Sequence, residues 1–446
     1  MRLEINHFAK IRHADIVVDG ITVLAGKNNT GKSTVGKVLY AVFNALYGID
    51  EKIENRRKEE IRIICSKAAG SLKNYAGSGM RTAFGEPQPR RSYQKLWRDF
   101  GTELEKYDAD TLSKAIYAEA FAQVCEEAQM EFLPEVREDF VENTYDKILT
   151  RKKYDNHKIS QELIGRYFQV IFSGQIQCLA HVESVADVRL IVKEKEISMR
   201  FEDNTCAGWN AELGVLHEAF FLDDPFVVDG LGGYYSFDEN FLFGVRDQLS
   251  ARIEESGNNI MDGLFDAVSA REKLSELYAV LNQVIKGDIL KQNGEWVFST
   301  EQYEKPVNLE NLSAGLKSFI VIKFLLERGI LKEKDVLVLD EPEIHLHPEW
   351  QMAYAEIIVL LQKCFDLSIV VTTHSAHFLE AVEYFSKKHG VEQKCNYYLS
   401  SVEEGLAVFE NVTQEPEKIY TELVTPSMLL DRLKYEMENT DEESFL

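Results

Sequence analysis

The sequence has few cysteines, and their spacing suits neither a disulfide framework nor a zinc site. Six cysteines are scattered through 446 residues, and no C-x-x-C pair occurs. This excludes a zinc hook and is typical of proteins from a reducing compartment. The sequence also lacks an apolar run long enough to cross a membrane, and residues 1–6 alternate like a strand instead of forming a signal peptide. We therefore expect a cytoplasmic protein without a membrane partner.

Basic residues are fewer than acidic ones. There are 50 Lys and Arg against 74 Asp and Glu, which gives a formal net charge of −24. A protein that wraps DNA broadly carries a basic surface or stripe, and the candidates here are the short runs 56–58, 90–91 and 151–153. Solvated helix faces are the commoner explanation of such runs. Direct DNA binding stays open as an alternative, because net charge does not decide local binding.

One segment fits the phosphate-binding pattern G-x-x-x-x-G-K-[ST]. It reads Gly26-Lys27-Asn28-Asn29-Thr30-Gly31-Lys32-Ser33. An apolar, β-branched run at 21–25 predicts a buried strand before it, and a helix is expected from Ser33 and Thr34 onward. The glycines let the backbone wrap with its N–H groups inward, and the helix dipole favours an anion. The segment predicts an ATP site in which Lys32 reaches the β- and γ-phosphates and Ser33 ligates Mg²⁺.

A second candidate site follows the apolar run 336–339, which ends in Asp340-Glu341-Pro342. Open α/β sheets bind ligands at the carboxyl ends of their strands, and Asp340 is predicted there. We expect Asp340 to hold Mg²⁺ through water and Glu341 to act on the attacking water as general base. An acidic turn after a buried strand is the simpler alternative, and the phosphate loop argues against it.

Together with Leu312-Ser313-Ala314-Gly315 and Thr373-His374-Ser375, these segments resemble the ABC-type ATPase heads of the SMC, RecF and OLD-like group. The 312–315 segment is similar to the L-S-G-G signature loop, with Ala314 as a small departure, and 340–342 is similar to the Walker B ending. The E-x-H-L-H-P segment 343–348 is typical of OLD-like and bacterial-defence ATPases. The resemblance covers residues 1–45 and 300–400.

The resemblance implies several roles. Ser313 and Gly315 would contact the γ-phosphate bound to the opposite subunit, so a homodimer or higher homo-oligomer is expected. His374 would sense the γ-phosphate. Gln175 and Gln177 are candidates for the glutamine that couples it to the helical part, and a glutamine at a polar helix end is the commoner explanation of both. Arg12 and His13 lie where such heads approach adenine, and a surface strand end explains them equally well. His345 and His347 would share a face in a strand and could ligate a metal, but no further His or Cys cluster completes a site; an interface or structural role is favoured.

The expected fold class is α/β: an ABC-type P-loop ATPase head with a mixed sheet and a β-layer, plus an inserted helical domain. We expect a discontinuous head at 1–45, 173–239 and 290–415. A helical insertion is expected at 46–172, a second helical segment at 240–289, and an acidic helical tail at 416–446. The residues 188–192 and 196–201 predict a β-hairpin. The insertion lacks the sustained heptads of a long coiled coil, which favours a compact helical domain.

We expect this sequence to contain no complete nuclease motif. OLD-like nucleases carry a Toprim domain after the ATPase, and we expect no room for one here. It therefore resembles the stand-alone PtuA-type and AriA-type ATPases of Septu and PARIS antiphage-defence systems, which hold or control a separately encoded nuclease effector. DNA or a phage component would be the trigger. Two alternatives remain: a RecF- or SMC-like DNA-repair ATPase that acts directly on DNA, and the ATPase subunit of a transporter, which the 343–348 segment disfavours.

Overall fold

The computed structural model describes residues 1–75, 90–127, 134–181, 184–229, 248 and 274–443. Within them the chain forms two compact units. The first comprises Met1–Tyr47 and Leu163–Leu446, and the second comprises Gly48–Glu162. Each unit is described by itself below.

The strands of the described residues all lie in the first unit. In chain order they are β1 (Arg2–Phe8), β2 (Ile11–Val17), β3 (Ile21–Gly26), β4 (Ala186–Val192), β5 (Lys195–Glu202), β6 (Thr205–Ala211), β7 (Ala219–Leu222), β8 (Asp288–Gln292), β9 (Glu295–Ser299), β10 (Val307–Asn308), β11 (Val336–Asp340), β12 (Ser368–Thr373), β13 (Cys395–Glu403) and β14 (Leu406–Asn411).

The helices belong to both units. In chain order they are α1 (Lys32–Leu46), α2 (Ile49–Tyr75), α3 (Arg90–Leu104), α4 (Lys114–Glu127), α5 (Pro134–Lys153), α6 (Asn156–Ile171), α7 (Ser275–Val284), α8 (Ala314–Glu327), α9 (Pro348–Phe365), α10 (Ala376–Lys388) and α11 (Glu417–Glu443). Short 3-10 helices occur at Pro225–Val228, Leu309–Asn311 and Glu392–Lys394.

Eleven strands form one mixed sheet in the order β6-β5-β4-β1-β2-β14-β13-β3-β12-β11-β7. The five strands from β13 to β7 run parallel. The strands β6, β5, β4, β1 and β2 form an antiparallel layer, which β14 joins to the parallel part. A separate antiparallel sheet has the order β10-β9-β8. The predicted fold class, an α/β head with a mixed sheet and a β-layer, is confirmed, and so is the β4–β5 hairpin.

The parallel strands are buried because helices cover both of their faces. Alternate residues of β11 point to opposite faces, and Leu337 and Leu339 join the main core with residues of α7, α8, α9 and α10. On the other face α1 packs against β7, β11 and β12. At Gly36 in α1, an added Cβ would lie 2.6 Å from Cγ1 of Val338. A glycine is therefore needed for α1 to approach β11 this closely.

The parallel register brings the ends of four strands together. Ala25 of β3 pairs with Thr373 of β12, and Asp340 of β11 pairs with Thr372. Leu222 of β7 pairs with Leu339 of β11. The residues that directly follow these strands therefore meet at one edge of the sheet, although they come from distant parts of the sequence.

The second unit is a helical domain with an aromatic core. Trp97 of α3 stacks on Phe140 of α5 at a centroid distance of 5.5 Å, and Phe140 stacks on Phe121 of α4 at 4.3 Å. Buried aliphatic residues from α2, such as Ile61, complete this core. The predicted inserted helical domain is thus present, with its own hydrophobic core.

The limits of the two units differ from the predicted ranges. The predicted insertion extends to residue 172, whereas the second unit ends at Glu162, within α6. The end of α6 lies in the first unit because Phe168 packs on Phe8 of β1 and Phe201 of β5, at 5.9 and 4.5 Å between ring centroids.

The predicted second helical segment and the predicted tail also contribute to the core of the first unit. Leu277 and Leu281 of α7, and Ile419 at the start of α11, belong to the main core. Residues 230–247 and 249–273, which include much of the predicted segment 240–289, lie outside the described residues, as do 444–446 of the predicted tail. In the described ranges no helix is both long and apolar enough to cross a membrane.

Candidate functional site

The phosphate-binding pattern forms a loop between β3 and α1. Its backbone has positive φ at Gly26 (147°), Asn29 (65°) and Gly31 (82°). Gly31 is the N-cap of α1 and makes no side-chain cap hydrogen bond. The first N–H groups of α1 therefore have no capping side chain, and a helix N-terminus of this kind favours an anion. The loop is in the place where the sequence predicts it.

Lys32 is buried beneath this loop. Its side chain is 3% exposed, and its ammonium donates to the carbonyl oxygens of Gly26 (3.0 Å) and Lys27 (2.8 Å). Burial lowers the pKa of Lys32, while the carboxylates of Glu341 and Asp340 oppose this change. A buried ammonium under a loop of backbone amides fits a phosphate ligand, which would supply the missing charge compensation. Ser33 and Thr34 are half-buried, whereas Lys27, Asn28 and Asn29 are exposed.

The loop is fastened to β13 by two buried hydroxyls. Thr30 Oγ1 donates to the carbonyl oxygen of Lys27 (2.8 Å) and lies 2.6 Å from Ser400 Oγ. Ser400 in turn donates to the carbonyl oxygen of Ala25 (3.0 Å). An added Cβ on Gly26 would lie 2.4 Å from Ser400 Oγ. Ser400 therefore supports the loop from the neighbouring strand. Sequence reasoning missed it, because it is one serine in an otherwise unremarkable strand.

Asp340 ends β11 beside the loop. Its Oδ1 accepts a hydrogen bond from Thr372 Oγ1 at 2.5 Å. The same hydroxyl accepts from the backbone N–H of Glu341 at 2.9 Å. The carboxylate is half-buried at the carboxyl end of a parallel strand, with its orientation set by Thr372. Carboxylate and hydroxyl oxygens are ligands that Mg²⁺ accepts, so Asp340 and Ser33 fit the predicted metal role.

Glu341 has a left-handed backbone, with φ of 50°. This conformation is uncommon for a residue other than glycine, and the two hydrogen bonds of its N–H to Thr372 hold it there. Its Oε1 lies 3.9 Å from Lys32 Nζ and 3.5 Å from His374 Nδ1. The structure thus brings together Lys32, at the start of α1, with Glu341 and His374, which follow β11 and β12.

A second glutamate of the same turn is buried behind this group. Glu343 is 2% exposed, and its Oε1 accepts hydrogen bonds from Thr373 Oγ1 (2.5 Å) and the N–H of His374 (3.3 Å). Within the described residues its Oε2 has no hydrogen-bond partner. Burial raises the pKa of the Glu343 carboxyl, and the hydrogen bond from Thr373 partly opposes this. The sequence marks Glu343 only as part of a family motif, without a role.

Asp223 and Asp224 follow β7, the strand next to β11. Burial raises the pKa of the Asp223 carboxyl, the ammonium of Lys37 opposes this rise, and the nearby Asp340 adds to it. Both aspartates line the same depression as Asp340 and Glu341. These residues were also missed, although the run Ala219–Leu222 before a pair of acids repeats the pattern that identified Asp340.

The candidate glutamines lie elsewhere in the sheet. Gln177 forms an isolated antiparallel bridge with Phe8, at the end of β1, and Gln175 is exposed two residues before it. Gln177 is therefore paired with the antiparallel layer. The residue that follows the strand beside β11 is Asp223, not a glutamine. The choice between the two glutamines stays a prediction.

The signature segment starts α8. Ser313 is the exposed N-cap, and its Oγ accepts from the N–H of Leu316 at 3.4 Å. Gly315 is buried, and an added Cβ there would lie 2.9 Å from the carbonyl oxygen of His345 and 3.2 Å from Trp350. Gly315 therefore permits close packing of the signature helix on the 343–348 turn. Within the described residues, the hydrogen bond of Ser313 is to its own helix and not to the phosphate loop.

His345 and His347 do not share a strand face, as the sequence interpretation supposed, because 341–347 is a turn. His347 is the N-cap of α9, and its Nδ1 accepts from the N–H of Glu349 at 3.4 Å. The ring of His345 packs edge-on near Phe226, at 6.2 Å. No group of three or more His, Cys, Asp or Glu suited to a metal occurs in the described part of the chain. The structural role preferred for His347 is consistent with its cap.

Arg12 and His13 lie on β2, next to β14. Arg12 donates to the carboxylate of Glu404 at 2.7 Å, and His13 Nδ1 lies 2.7 Å from Asn6 Oδ1. Neighbouring Lys10 donates to the carbonyl oxygen of Asn29 in the phosphate loop at 2.8 Å. The β-layer thus reaches the loop through Lys10, and a role of Arg12 or His13 at adenine stays a prediction.

Substitution of Ser400 by alanine is expected to weaken ATP binding by about 3- to 10-fold, because loss of one buried hydrogen bond costs about 1 kcal/mol. The reason is that Thr30 and Ala25 lose their shared partner. Turnover at saturating ATP should change little, since Ser400 does not touch the carboxylates. Titration calorimetry with ATP measures the effect, and Ser401→Ala is the matched control because Ser401 is exposed. Equal affinities in both variants would contradict the role given to Ser400.

The chain is similar in sequence to known ATPases. The model of the AAA_15 family, described as an AAA ATPase domain, matches residues 1–379. The Septu protein PtuA of Bacillus thuringiensis is 26% identical over 178 residues, which are 36% of this chain and 41% of that protein. A DNA double-strand break repair Rad50 ATPase of Sulfurisphaera tokodaii is 21% identical over 141 residues, 31% of this chain and 15% of that protein.

A crystal structure of an Smc head bound to the C-terminal winged-helix domain of ScpA covers 94% of this chain and 98% of its own, with 12% identity and a TM-score of 0.43. The chain spans less than half the length of the two curated relatives just named. The predicted resemblance to ABC-type heads of the PtuA kind is confirmed. Because the family match runs through most of the chain, the protein belongs to the AAA_15 family of AAA ATPase domains.

Proposed function

We propose that the chain binds ATP with Mg²⁺ and hydrolyses it. The observation that supports this most directly is the chain of contacts from Lys32 to Glu341 (3.9 Å) and from Glu341 to His374 (3.5 Å) at the end of the parallel strands. The Glu341 carboxylate, which is suited to act as a base, thus lies next to both the Lys32 ammonium and the His374 imidazole. This arrangement matches the needs of phosphoryl transfer to water, in which positioning and charge stabilisation supply most of the catalysis.

Each residue has a separate task in this proposal. Lys32 and the loop amides would bind the β- and γ-phosphates. Ser33 and Asp340 would hold Mg²⁺, which would neutralise phosphate charge. Glu341 accepts a proton from the water that attacks the γ-phosphorus. Its unusual backbone and the hydrogen bonds from its N–H to Thr372 fix the direction of its carboxylate. His374, which is 40% exposed and lies 3.5 Å from Glu341 through its Nδ1, would contact the γ-phosphate.

Glu341→Gln is expected to bind ATP and to hydrolyse it at least ~10²-fold more slowly, because the amide keeps the shape but cannot accept the proton. Lys32→Ala is expected to weaken ATP binding itself, because it deletes a charge-assisted contact to phosphate. Calorimetry and a phosphate-release assay on the same samples separate the two effects. Hydrolysis by the Gln variant at nearly the native rate would refute the role of Glu341.

We also propose that the active unit is a homodimer or a higher homo-oligomer. Ser313 is exposed at the start of α8, and it makes its hydrogen bond within its own helix. Gly315 packs against the turn that carries Glu341 and Glu343. The signature segment is therefore rigidly attached to its own subunit's turn while its serine hydroxyl faces outward, which suits contact with the nucleotide of a second copy.

A mixture of inactive Lys32→Ala and inactive Ser313→Arg chains should regain hydrolysis. In a mixed dimer one composite site keeps an intact loop and an intact signature segment, so recovery to about a quarter of the native rate is expected at equal mixing from the statistics of random pairing and the definition of the composite site. Subunit exchange is checked by differently tagged chains. If exchange is complete and the mixture stays inactive, completion by a second copy is excluded.

We further propose that this ATPase serves an antiphage-defence system and restrains or activates a separately encoded nuclease effector in the cytoplasm, with DNA or a phage component as trigger. The alignment with a Septu PtuA protein supports this role. The helical unit 48–162, which the minimal ATPase site does not need, is the proposed effector-binding surface. The alternative is a DNA-repair ATPase that acts directly on DNA, and the alignment with a Rad50 ATPase favours it.

The basic runs argue against the alternative. Arg56 and Arg57 pair with Glu60 and Glu54 on their own helix, and Lys58 pairs with Glu105. Lys152 donates to two backbone carbonyl oxygens, those of Leu104 and Tyr107. These cations already have partners inside the helical unit, so they offer DNA less unpaired charge than the sequence suggests. The side chains of 90–91 lie outside the described residues.

The purified chain is expected to hydrolyse ATP and to leave DNA and RNA intact with Mg²⁺ or Mn²⁺ present. Cleavage or toxicity should appear only when a neighbouring gene product is co-expressed, since no two-metal carboxylate cluster occurs in the described residues. Gel assays with the chain alone, with Lys32→Ala, and with the partner added give the result. Metal-dependent cleavage by the chain alone that survives Lys32→Ala would overturn the effector proposal and leave the ATPase proposal standing.

A further inference from the structure

Glu343 is the buried polar group of the site that the proposed hydrolysis mechanism does not use. It lies two residues beyond Glu341, is 2% exposed, and has one carboxylate oxygen without a hydrogen-bond partner among the described residues. A buried carboxyl that lacks full hydrogen bonding costs several kcal/mol or shifts to its neutral form. A hydrophobic residue at this position would pack without that cost, so the carboxyl calls for a specific explanation.

The hydrogen bonds that the Glu343 carboxylate makes among the described residues go to the end of β12. Its Oε1 accepts from Thr373 Oγ1 and from the N–H of His374. Thr373 Oγ1 also accepts from the N–H of Ser375, the N-cap of α10. One carboxylate oxygen therefore holds the turn on both sides of His374.

The turn that carries Glu343 is itself fixed. The carbonyl oxygen of Glu343 accepts from the N–H of Leu346 (3.0 Å) and from Nε2 of Gln351 (3.3 Å). These two hydrogen bonds fix the backbone of Glu343, and with it the place from which its carboxyl extends. By contrast, the side chain of His374 is 40% exposed, and its Nδ1 approaches Glu341 at 3.5 Å and Glu343 at 3.9 Å. A partly exposed ring needs such a support to keep one orientation.

We propose that Glu343 is a positioning residue: it fixes the backbone of His374 so that the imidazole Nδ1 faces Glu341 and Nε2 faces the γ-phosphate. Glu343 itself touches neither the phosphate nor the attacking water. This inference rests on the proposed ATP hydrolysis. Glu343 is the residue that connects the turn after β11 to the turn after β12. Because one oxygen accepts both bonds, a glutamine can replace the glutamate, whereas an apolar side chain cannot.

The test compares Glu343→Gln, Glu343→Leu and Thr373→Val with the wild type. Glu343→Gln should keep kcat within about threefold, because its amide oxygen accepts the same two bonds. Glu343→Leu should lower kcat by at least about tenfold with ATP affinity little changed, since a small misplacement of a catalytic group costs this much. Thr373→Val, which removes one donor with little change in shape, should lower kcat in the same direction. The matched control is Glu380→Leu, which removes an exposed carboxylate from α10.

A double variant separates positioning from general damage. In a His374→Ala background, Glu343→Leu should lower kcat by less than about twofold further, because groups that act as a unit are not additive. Thermal unfolding by circular dichroism shows whether each variant is folded. If Glu343→Leu keeps the native kcat, or if its effect persists in full without His374, the positioning role is wrong.

A measurement without ATP distinguishes failure of this inference from failure of the proposed function. Histidine-selective NMR of the nucleotide-free chain reports the imidazole signals of His374, assigned with His374→Ala. Glu343→Leu should move these signals, whereas Glu343→Gln should move them much less and Glu380→Leu should leave them in place. Unmoved signals in folded Glu343→Leu overturn the positioning role. A wild-type chain that does not hydrolyse ATP, with the signals moving as expected, overturns the hydrolysis proposal alone.

Discussion

The parallel pairing of β3, β12, β11 and β7 is the constraint on which the site depends. Beyond the positions at which these four strands pair with one another lie Gly26 and the phosphate loop, His374, Glu341 and Asp223. These positions meet because parallel strands end at the same edge of the sheet, and a slip of one residue would turn every side chain to the opposite face. Burial on both faces makes such a slip costly. The buried sheet therefore fixes where these residues lie relative to one another.

The buried charged groups of the site, Lys32 and Glu343, are not fully compensated by the residues around them. One buried lysine, Lys32, lies under the loop, and the carboxylates of Asp340 and Glu341 face it. Burial lowers the pKa of Lys32 and raises the pKa of the Glu343 carboxyl, because a low-dielectric interior disfavours both charged forms. The proposed phosphate and metal would supply opposite charges to Lys32 and Asp340, so nucleotide binding would complete an electrostatic arrangement that the protein leaves open.

The hydroxyl side chains have a common role around this charged centre. Thr372 orients Asp340 and the backbone of Glu341, Thr373 connects Glu343 to the His374 turn, and the Thr30–Ser400 pair fastens the phosphate loop to β13. A hydroxyl both donates and accepts, so each can join a carboxylate or carbonyl to a backbone amide. The network is shared between strands, so the positions of the residues proposed to be catalytic depend on neighbouring strands as well as on their own loops.

The local sequence determined the chemistry of this protein, and the tertiary structure decided which groups support it. The pattern from Gly26 to Ser33 is a single strand–loop–helix unit, so glycine spacing and apolar periodicity were enough to predict its backbone, while the role of Lys32 stays a prediction. The buried strand that ends at Asp340 and the β4–β5 hairpin were predictable from local apolar patterns in the same way. The supports were not, because they join distant positions: Thr30 and Ser400 are 370 residues apart. The strand geometry considered for His345 and His347 does not occur, because the chain turns over 341–347 and His347 caps α9. Which serine, threonine or glutamate is close to the site depends on strand order and register, and those are set by the packing of helices on both faces of the whole sheet.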